Sequence, residues 1–419
     1  MLKNNMAKIL ILIFSIIGAC PITGLHAQDT GLLTLDSLII RVETTYPDVL
    51  KYENRIQAYA SKAEGATALM PPTFSAGISR FPYNLMMLNE EGPMNQSGLM
   101  FTLEQMITNP QKRNAKKEYY QSLGAVEQQR AEWTKNELRT AAKLYYYQRQ
   151  IAASKLKILN ESEQLLSLLI VTAEDRYTYN QTELTTIYKA RAKMEELKNM
   201  RLMQEGIITE SNIVINTLLN RDINTTFSID TALVLKDYKA VQDTFSRSDI
   251  KAMTGLIETM RNEQKYMASF SKPDFGVQVQ HMQMFGMENQ FSIMGMITIP
   301  IAPWSSKMYK SGIASAQYEI KSMQKEVESM QLMAQRMQAE KLAMLQYTVR
   351  QLTNYQDNII PSFEKNMDAN LLAYRQNKGD FFVLLDAWEM LLMKKMEKQD
   401  VWAQVLKLQA EYEYETERK

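Results

Sequence analysis

The chain has 419 residues, a net charge of +1 from 48 basic and 47 acidic side chains, one cysteine and two histidines. That balance argues against a nucleic-acid surface, which needs a basic excess. A single cysteine excludes an internal disulfide and a cysteine-based zinc site, and His281, the only histidine apart from His26, has no nucleophile motif near it, so the sequence offers no catalytic residue.

Lys3 and Lys8 with the apolar run Ile9 to Ile17 read as an export signal, the run being too short to span a bilayer. Cleavage after Ala27 is the first reading, giving a signal peptide of residues 1–27. Ile17-Gly18-Ala19-Cys20 resembles a lipobox, so lipidation of Cys20 is the second. After the signal no stretch of about 20 apolar residues occurs, so any membrane crossing must use strands.

The rest reads as two structural repeats, 28–247 and 248–419, each a helix, a strand pair and a long helical hairpin. In the first, Leu33 to Leu69 is helical with a stripe of Leu38, Ile39, Val42, Leu50, Ile56 and Ala60, interrupted at Pro47. Strands are predicted at Thr73 to Phe81 and Gly98 to Gln105. Pro110 then opens a Lys- and Glu-rich region that runs to Tyr177 almost without Gly or Pro, a helical rod of about 100 Å at 1.5 Å rise per residue. In the second repeat Asp249 to Phe270 is helical, strands fall at Asp274 to Met284 and Phe291 to Ile299, and Pro303 opens another rod.

The far ends of the rods match. Tyr177-Thr178-Tyr179-Asn180-Gln181-Thr182-Glu183-Leu184 aligns with Tyr374-Arg375-Gln376-Asn377-Lys378-Gly379-Asp380-Phe381, so both are helical hairpin tips. Gly379 suits the exit from one helix and Asp380 the cap of the next.

The strands alternate. Phe275, Val277 and Val279 oppose Gly276, Gln278 and Gln280, and Phe291, Ile293, Ile297 and Ile299 oppose Ser292 and Thr298. In the first repeat Phe74, Ala76 and Ile78 oppose Thr73, Ser75 and Ser79, and Leu99, Phe101 and Leu103 oppose Thr102 and Glu104. One greasy and one wet face is the pattern of a membrane barrel, although a soluble sandwich alternates too. Four strands cannot close a barrel, so several chains must contribute.

The two repeats, the paired strands, Pro110 or Pro303 before each rod, and the run from Ala373-Tyr374 through Asp380-Phe381-Phe382-Val383-Leu384-Leu385-Asp386-Ala387 make the chain resemble the TolC family of outer-membrane efflux proteins. The first tip departs from the family by having Thr182 where glycine is common. The resemblance implies a mainly α fold with a membrane β-barrel portion: a two-repeat protomer of four strands plus long coiled-coil helices, three of which build a twelve-stranded barrel on a helical α-barrel. It implies a passive homotrimeric duct in the cell outer membrane with a long periplasmic extension, no enzymatic activity and no cofactor. The implied partners are a periplasmic adaptor (membrane fusion) protein and an inner-membrane pump of the RND type. Tip residues Tyr177, Asn180, Thr182, Glu183, Tyr374, Arg375, Asn377, Gly379 and Asp380 are then candidates for the gate and for adaptor contact.

Methionine is abundant, at 29 residues. Met323, Met330, Met333, Met337 and Met344 sit at helical spacing and read as coiled-coil filling. Met100, Met282, Met284, Met294 and Met296 instead continue the wet strand face and are expected in the lumen. Met86, Met87, Met94 and Met287 fall in the intervening loops, with His281 placed among them. Thioethers favour Cu(I) and Ag(I), and weak repeated contacts suit passage better than one tight site. Heavy-metal efflux is therefore the expected function, and the chain also resembles the copper/silver (Cus-type) branch at Met294-Gly295-Met296 and Pro300-Ile301-Ala302-Pro303-Trp304. A duct for drugs or other small molecules is the rival, and a secreted coiled-coil adaptor or adhesin without a pore the second.

Overall fold

The computed structural model describes residues 31–418 except 91, 94, 180–181 and 239–246. The signal 1–27, Cys20, Met94 and Asn180 lie outside the described residues.

The described residues open with a two-residue strand, β1 (Leu32–Leu33), then α1 (Leu35–Thr45) and α2 (Pro47–Gly65). The Thr34 side chain accepts from the Ser37 amide to cap α1, and Pro47, whose missing N–H costs nothing in a first turn, starts α2. Val49 rather than Leu50 is the buried residue there. β2 (Thr73–Ser79) and β3 (Gly98–Ile107) flank a short 3-10 turn, and α3 (Pro110–Thr178) follows as one unbroken helix of 69 residues. α4 (Leu184–Leu218) returns along it. β4 (Ser228–Ile229) pairs in parallel with β1 before the second half begins.

That half repeats the order with α5 (Ser248–Ser269), β5 (Asp274–Met284), β6 (Gln290–Thr298), α6 (Pro303–Asn354), α7 (Ile360–Arg375) and α8 (Phe381–Thr416). Its descending rod is interrupted by a π turn at Tyr355–Ile359. Pro361 is the physical reason: it has no N–H for the carbonyl one turn back and its ring crowds that position, and a wide turn absorbs both.

The four long strands form one antiparallel sheet in the order β2-β3-β5-β6. The helices form a row rather than a closed bundle. α4 packs on α3, α3 on α8, and α8 on α6 and α7, while α4 meets α8 only marginally. Buried positions along the row recur every seven residues, as Leu159, Leu166 and Ala173 on α3 and as Ala190, Leu197, Gln204 and Ser211 on α4, the repeat that keeps long helices in contact over their length. The row's outer edges stay uncovered: Leu202 and Met203 on α4, and Trp304, Met308, Tyr318, Met333, Met344 and Tyr347 on α6, are exposed. Met333 and Met344, read from sequence as seam filling, belong to that open edge.

Sheet and row are joined at the β3–α3 corner. Asn109 caps α3 by accepting from the Gln111 amide at 2.9 Å, and its own amide donates to Asp274 Oδ1 at 2.8 Å. Lys112 completes the corner by pairing with Asp274 Oδ2 at 2.6 Å, which ties the start of β5 to the first rod.

Candidate functional site

Two regions bring the sequence-predicted residues together: the sheet and the hairpin tips. In the sheet, antiparallel pairing sets partners on a common face. Val279 lies between Leu103 and Ile293, and Phe275 between Ile107 and Ile297, while Phe74 pairs with Leu103. The exposed large side chains of this face are mostly apolar, including Phe74, Ile78, Leu103, Val277, Phe291 and Ile293, with His281 and Gln283 as exposed polar exceptions near the loop end of β5. On the other face Ser75, Thr102, Gln280 and Ser292 form one row, and Glu104, Gln278 and Met294 the next. Met100 stands opposite Met282, and Met296 opposite Gly276.

Two expectations change. Met284 shares the polar face but is only 8 % exposed, lying where β5 meets the loops between strands. Gly98, its partner, could carry no Cβ, because one would fall 2.3 Å from the Gln283 carbonyl oxygen. His281, expected among the loop methionines, lies instead within β5, between Phe101 and Phe291 on the apolar face. The loops themselves lock together, with Gly92 N–H donating to Gly286 O at 2.9 Å and Gly286 so close to Asn95 that a Cβ would lie 2.7 Å from the Asn95 Cβ.

At the tips, Thr182 and Glu183 of one hairpin and Tyr374, Asn377, Gly379 and Asp380 of the other line a single cleft of about 540 Å³, together with Arg176. The second tip is the better defined. Asn377 takes the left-handed conformation, φ 57°, and Lys378 N–H reaches back to Ala373 O at 2.9 Å, closing α7. The helix exit thus rests on Asn377, not Gly379. Gly379 is needed for space, since a Cβ there would lie 3.0 Å from the Tyr374 backbone nitrogen. Asp380 caps α8 by accepting from the Phe382 amide at 2.9 Å. Asp380→Ala should cost about 1 kcal/mol of local stability; amide hydrogen exchange at Phe382 to Leu384 checks this, and unchanged protection would refute the cap. Glu183 occupies the matching place on α4 without a cap bond to the backbone; its carboxylate accepts from Thr185 Oγ1 at 3.0 Å.

The two tips are bound together by a residue the sequence reading missed. Arg176, near the end of α3, donates to the Tyr374 carbonyl at 2.8 Å and lays its guanidinium 4.0 Å from the Tyr374 ring centroid. Tyr374, expected at the surface, is 3 % exposed: it sits edge-on to Phe381 at 5.4 Å inside a core with Leu384, Leu385 and Trp388, where burial pushes its phenol pKa up. Further out, Lys193 of α4 pairs with Glu389 of α8 at 2.9 Å, and Lys189 lies 4.8 Å over the Phe382 ring. Tyr177 is exposed, as are Arg375 and, beside it in the turn, Asn377. Among the described residues no helix is long and apolar enough to cross a membrane, and no cluster of three His, Cys, Asp or Glu side chains could hold a metal.

No family model matches the chain, and no curated protein does. Solved structures do. The chain is similar to CusC, at 13% identity over 91% of each chain and a TM-score of 0.74. It is similar to the outer membrane protein VceC from Vibrio cholerae, at 14% identity over 91% of this chain and 95% of that one, with a TM-score of 0.71. It is also similar to the CmeC outer membrane channel of Campylobacter jejuni, at 13% identity over 91% and 85%, with a TM-score of 0.72. The fold is that of the TolC-type outer-membrane channels.

Proposed function

We propose that this chain is the outer-membrane duct of a tripartite efflux system, acting as a homotrimer whose periplasmic end is opened by an adaptor and an inner-membrane pump of the RND type. The observation that carries this reading is the sheet: four strands with two unpaired edges, one face of exposed apolar side chains and one polar face. An apolar face of that kind suits lipid, and in lipid a sheet edge must be paired, so the four strands need copies of themselves to close. The uncovered edges of α4 and α6 fit the same closure lower down, one copy's α4 beside the next copy's α6. The duct performs no bond chemistry; the pump supplies the energy. Purified protein reconstituted in planar bilayers should give single-channel conductance, and a chain recovered only in the soluble periplasmic fraction would exclude the duct and favour a pore-free adaptor or adhesin.

The tips are the gate of this duct. Arg176 links hairpin to hairpin, and parting them requires breaking that link first. Arg176→Ala should raise the closed-state conductance severalfold, and an unchanged trace would remove Arg176 from the gate. As cargo we propose soft heavy-metal ions such as Cu(I) and Ag(I), on the strength of the thioethers of Met100, Met282, Met294 and Met296 beside Gln278 and Gln280. Deleting the gene and comparing copper and silver tolerance with dye and detergent tolerance separates this cargo from drugs or other small molecules. Loss of dye tolerance with intact metal tolerance assigns the duct to organic cargo.

A further inference from the structure

The polar face of β3 extends one alternation beyond Glu104, to Met106. Met106 stands opposite Gly276 of β5, and Gly276 stands opposite Met296 of β6, so the three residues share one rung of the sheet. Both methionines lean into the room that the glycine leaves. A Cβ at Gly276 would lie 2.5 Å from Met106 Sδ and 3.1 Å from Met296 Cε. The sulfur of one methionine and the terminal carbon of the other are therefore no more than about 5.6 Å apart. Rotation about the last torsion of Met296, a soft motion for an unbranched thioether, turns the second sulfur toward the first.

The surroundings add charge. Glu104, two residues back on the same strand and the same face, sets a carboxylate on the neighbouring rung with Gln278 and Met294. On the other side Asp274, two residues before Gly276, is already neutralised by Lys112 at 2.6 Å. The rung lies at the end of the sheet where the chain passes into α3 and α6.

We propose that Met106 and Met296, facing each other across Gly276, form a two-thioether site for a soft monovalent cation, Cu(I) or Ag(I). Two neutral sulfurs suit ions of low charge and low coordination number and offer little to Zn(II) or Mg(II), which prefer nitrogen or oxygen. The nearby carboxylate raises the local concentration of cations without entering the ligand set. The site's place at the lumenal entrance of the barrel rests on the duct reading; the binding itself does not.

Equilibrium dialysis of the purified full chain against Ag(I), with bound silver measured by mass spectrometry, tests the site. M106L/M296L removes both sulfurs at nearly constant volume. Gly276→Ala keeps every sulfur in the chain and adds only a methyl group where the Met106 sulfur now sits. Both variants should weaken the tightest silver binding by about tenfold or more, whereas M323L/M330L, on α6 and outside the sheet, should stay within about twofold of the unmodified chain. Silver binding that survives in both M106L/M296L and Gly276→Ala overturns the site, as does equal loss in M323L/M330L. Conductance of the same preparations separates the two readings: a chain that binds silver at this rung but conducts nothing refutes the duct and leaves the site standing.

Discussion

Glu413→Ala should destabilise the helical part of the protein by about 3–5 kcal/mol, the cost of stranding a buried charge. Glu413 and Lys143 are each 3 % exposed at the side chain and pair at 2.6 Å across α8 and α3. Glu413 also accepts from Lys236 at 2.8 Å and from the Tyr238 hydroxyl, both on the segment that joins the two halves. Next to it Asn136 donates to Tyr414 O and Gln338 to Glu415 O, each at 2.8 Å, so the end of α8 is a knot that holds both rods and the junction between them. Burial alone would raise the Glu413 pKa, but Lys143, Lys236 and Tyr238 together hold it below the ordinary carboxylate value. Burial lowers the Lys143 pKa even with Glu413 beside it. A depressed carboxylate contributes stability that is present above its unfolded pKa of about 4.3 and is lost as the pH falls through the folded value. The unmodified chain should therefore lose stability in that acid window, and Glu413→Ala should lose less of its remaining stability there. Chemical denaturation in detergent followed by far-UV circular dichroism, repeated at neutral pH and at about pH 4, measures both effects. An unchanged midpoint at neutral pH would refute the knot, and K143M/E413L, which removes both charges, should recover much of the loss.

A basic residue at Val279 should prevent assembly in the membrane, whereas one at Gln280 should not. Val279 is flanked by Leu103 and Ile293 at the centre of the apolar face. In the proposed duct, Val279→Arg puts a guanidinium at mid-depth in hydrocarbon, which costs about 2–4 kcal/mol in each copy. The three copies of the proposed trimer would multiply that cost within a single barrel. Gln280 lies one residue on, between Thr102 and Ser292 on the polar face. Gln280→Arg should leave the amount of assembled protein in the outer-membrane fraction near normal and shift conductance and ion selectivity instead. Equal loss of assembled protein for the two variants would show that the faces are not lipid and water.

Much of this was legible in the residues because it rests on local rules. The alternation from Phe275 to Met284 set β5 to its observed ends, Pro110 and Pro303 marked both rod starts, and the likeness of the tips located the hairpin turns. What escaped depended on partners far away in the chain or on a boundary. Arg176 is one more arginine on a polar helix until Tyr374, 198 residues later, comes beneath it. Glu413 reads as a solvated charge until Lys143, 270 residues earlier, buries it. Met106 was overlooked because the predicted strand stopped at Gln105, whereas β3 runs to Ile107 and carries the alternation one step further. Tyr374 was placed at the tip correctly along the chain, but position in a turn does not say whether a ring points out or in. β1 and β4, two residues each, are too short to show a period at all.

The π turn near Pro361 bears on how the chain keeps time along its length. One series of buried positions on the descending rod, Gln338, Leu345, Leu352, Ile360, Met367 and Tyr374, runs at intervals of seven residues except at one place, where Leu352 and Ile360 are eight apart. The odd step spans the wide turn, which consumes the surplus residue within a single coil of helix. Below it the beat resumes unshifted, and Tyr374 arrives in phase beneath Arg176. One surplus residue is thus accommodated in the interior of a rod with no loop to absorb it, so the phase of these helices, more than their residue count, is what the tip inherits.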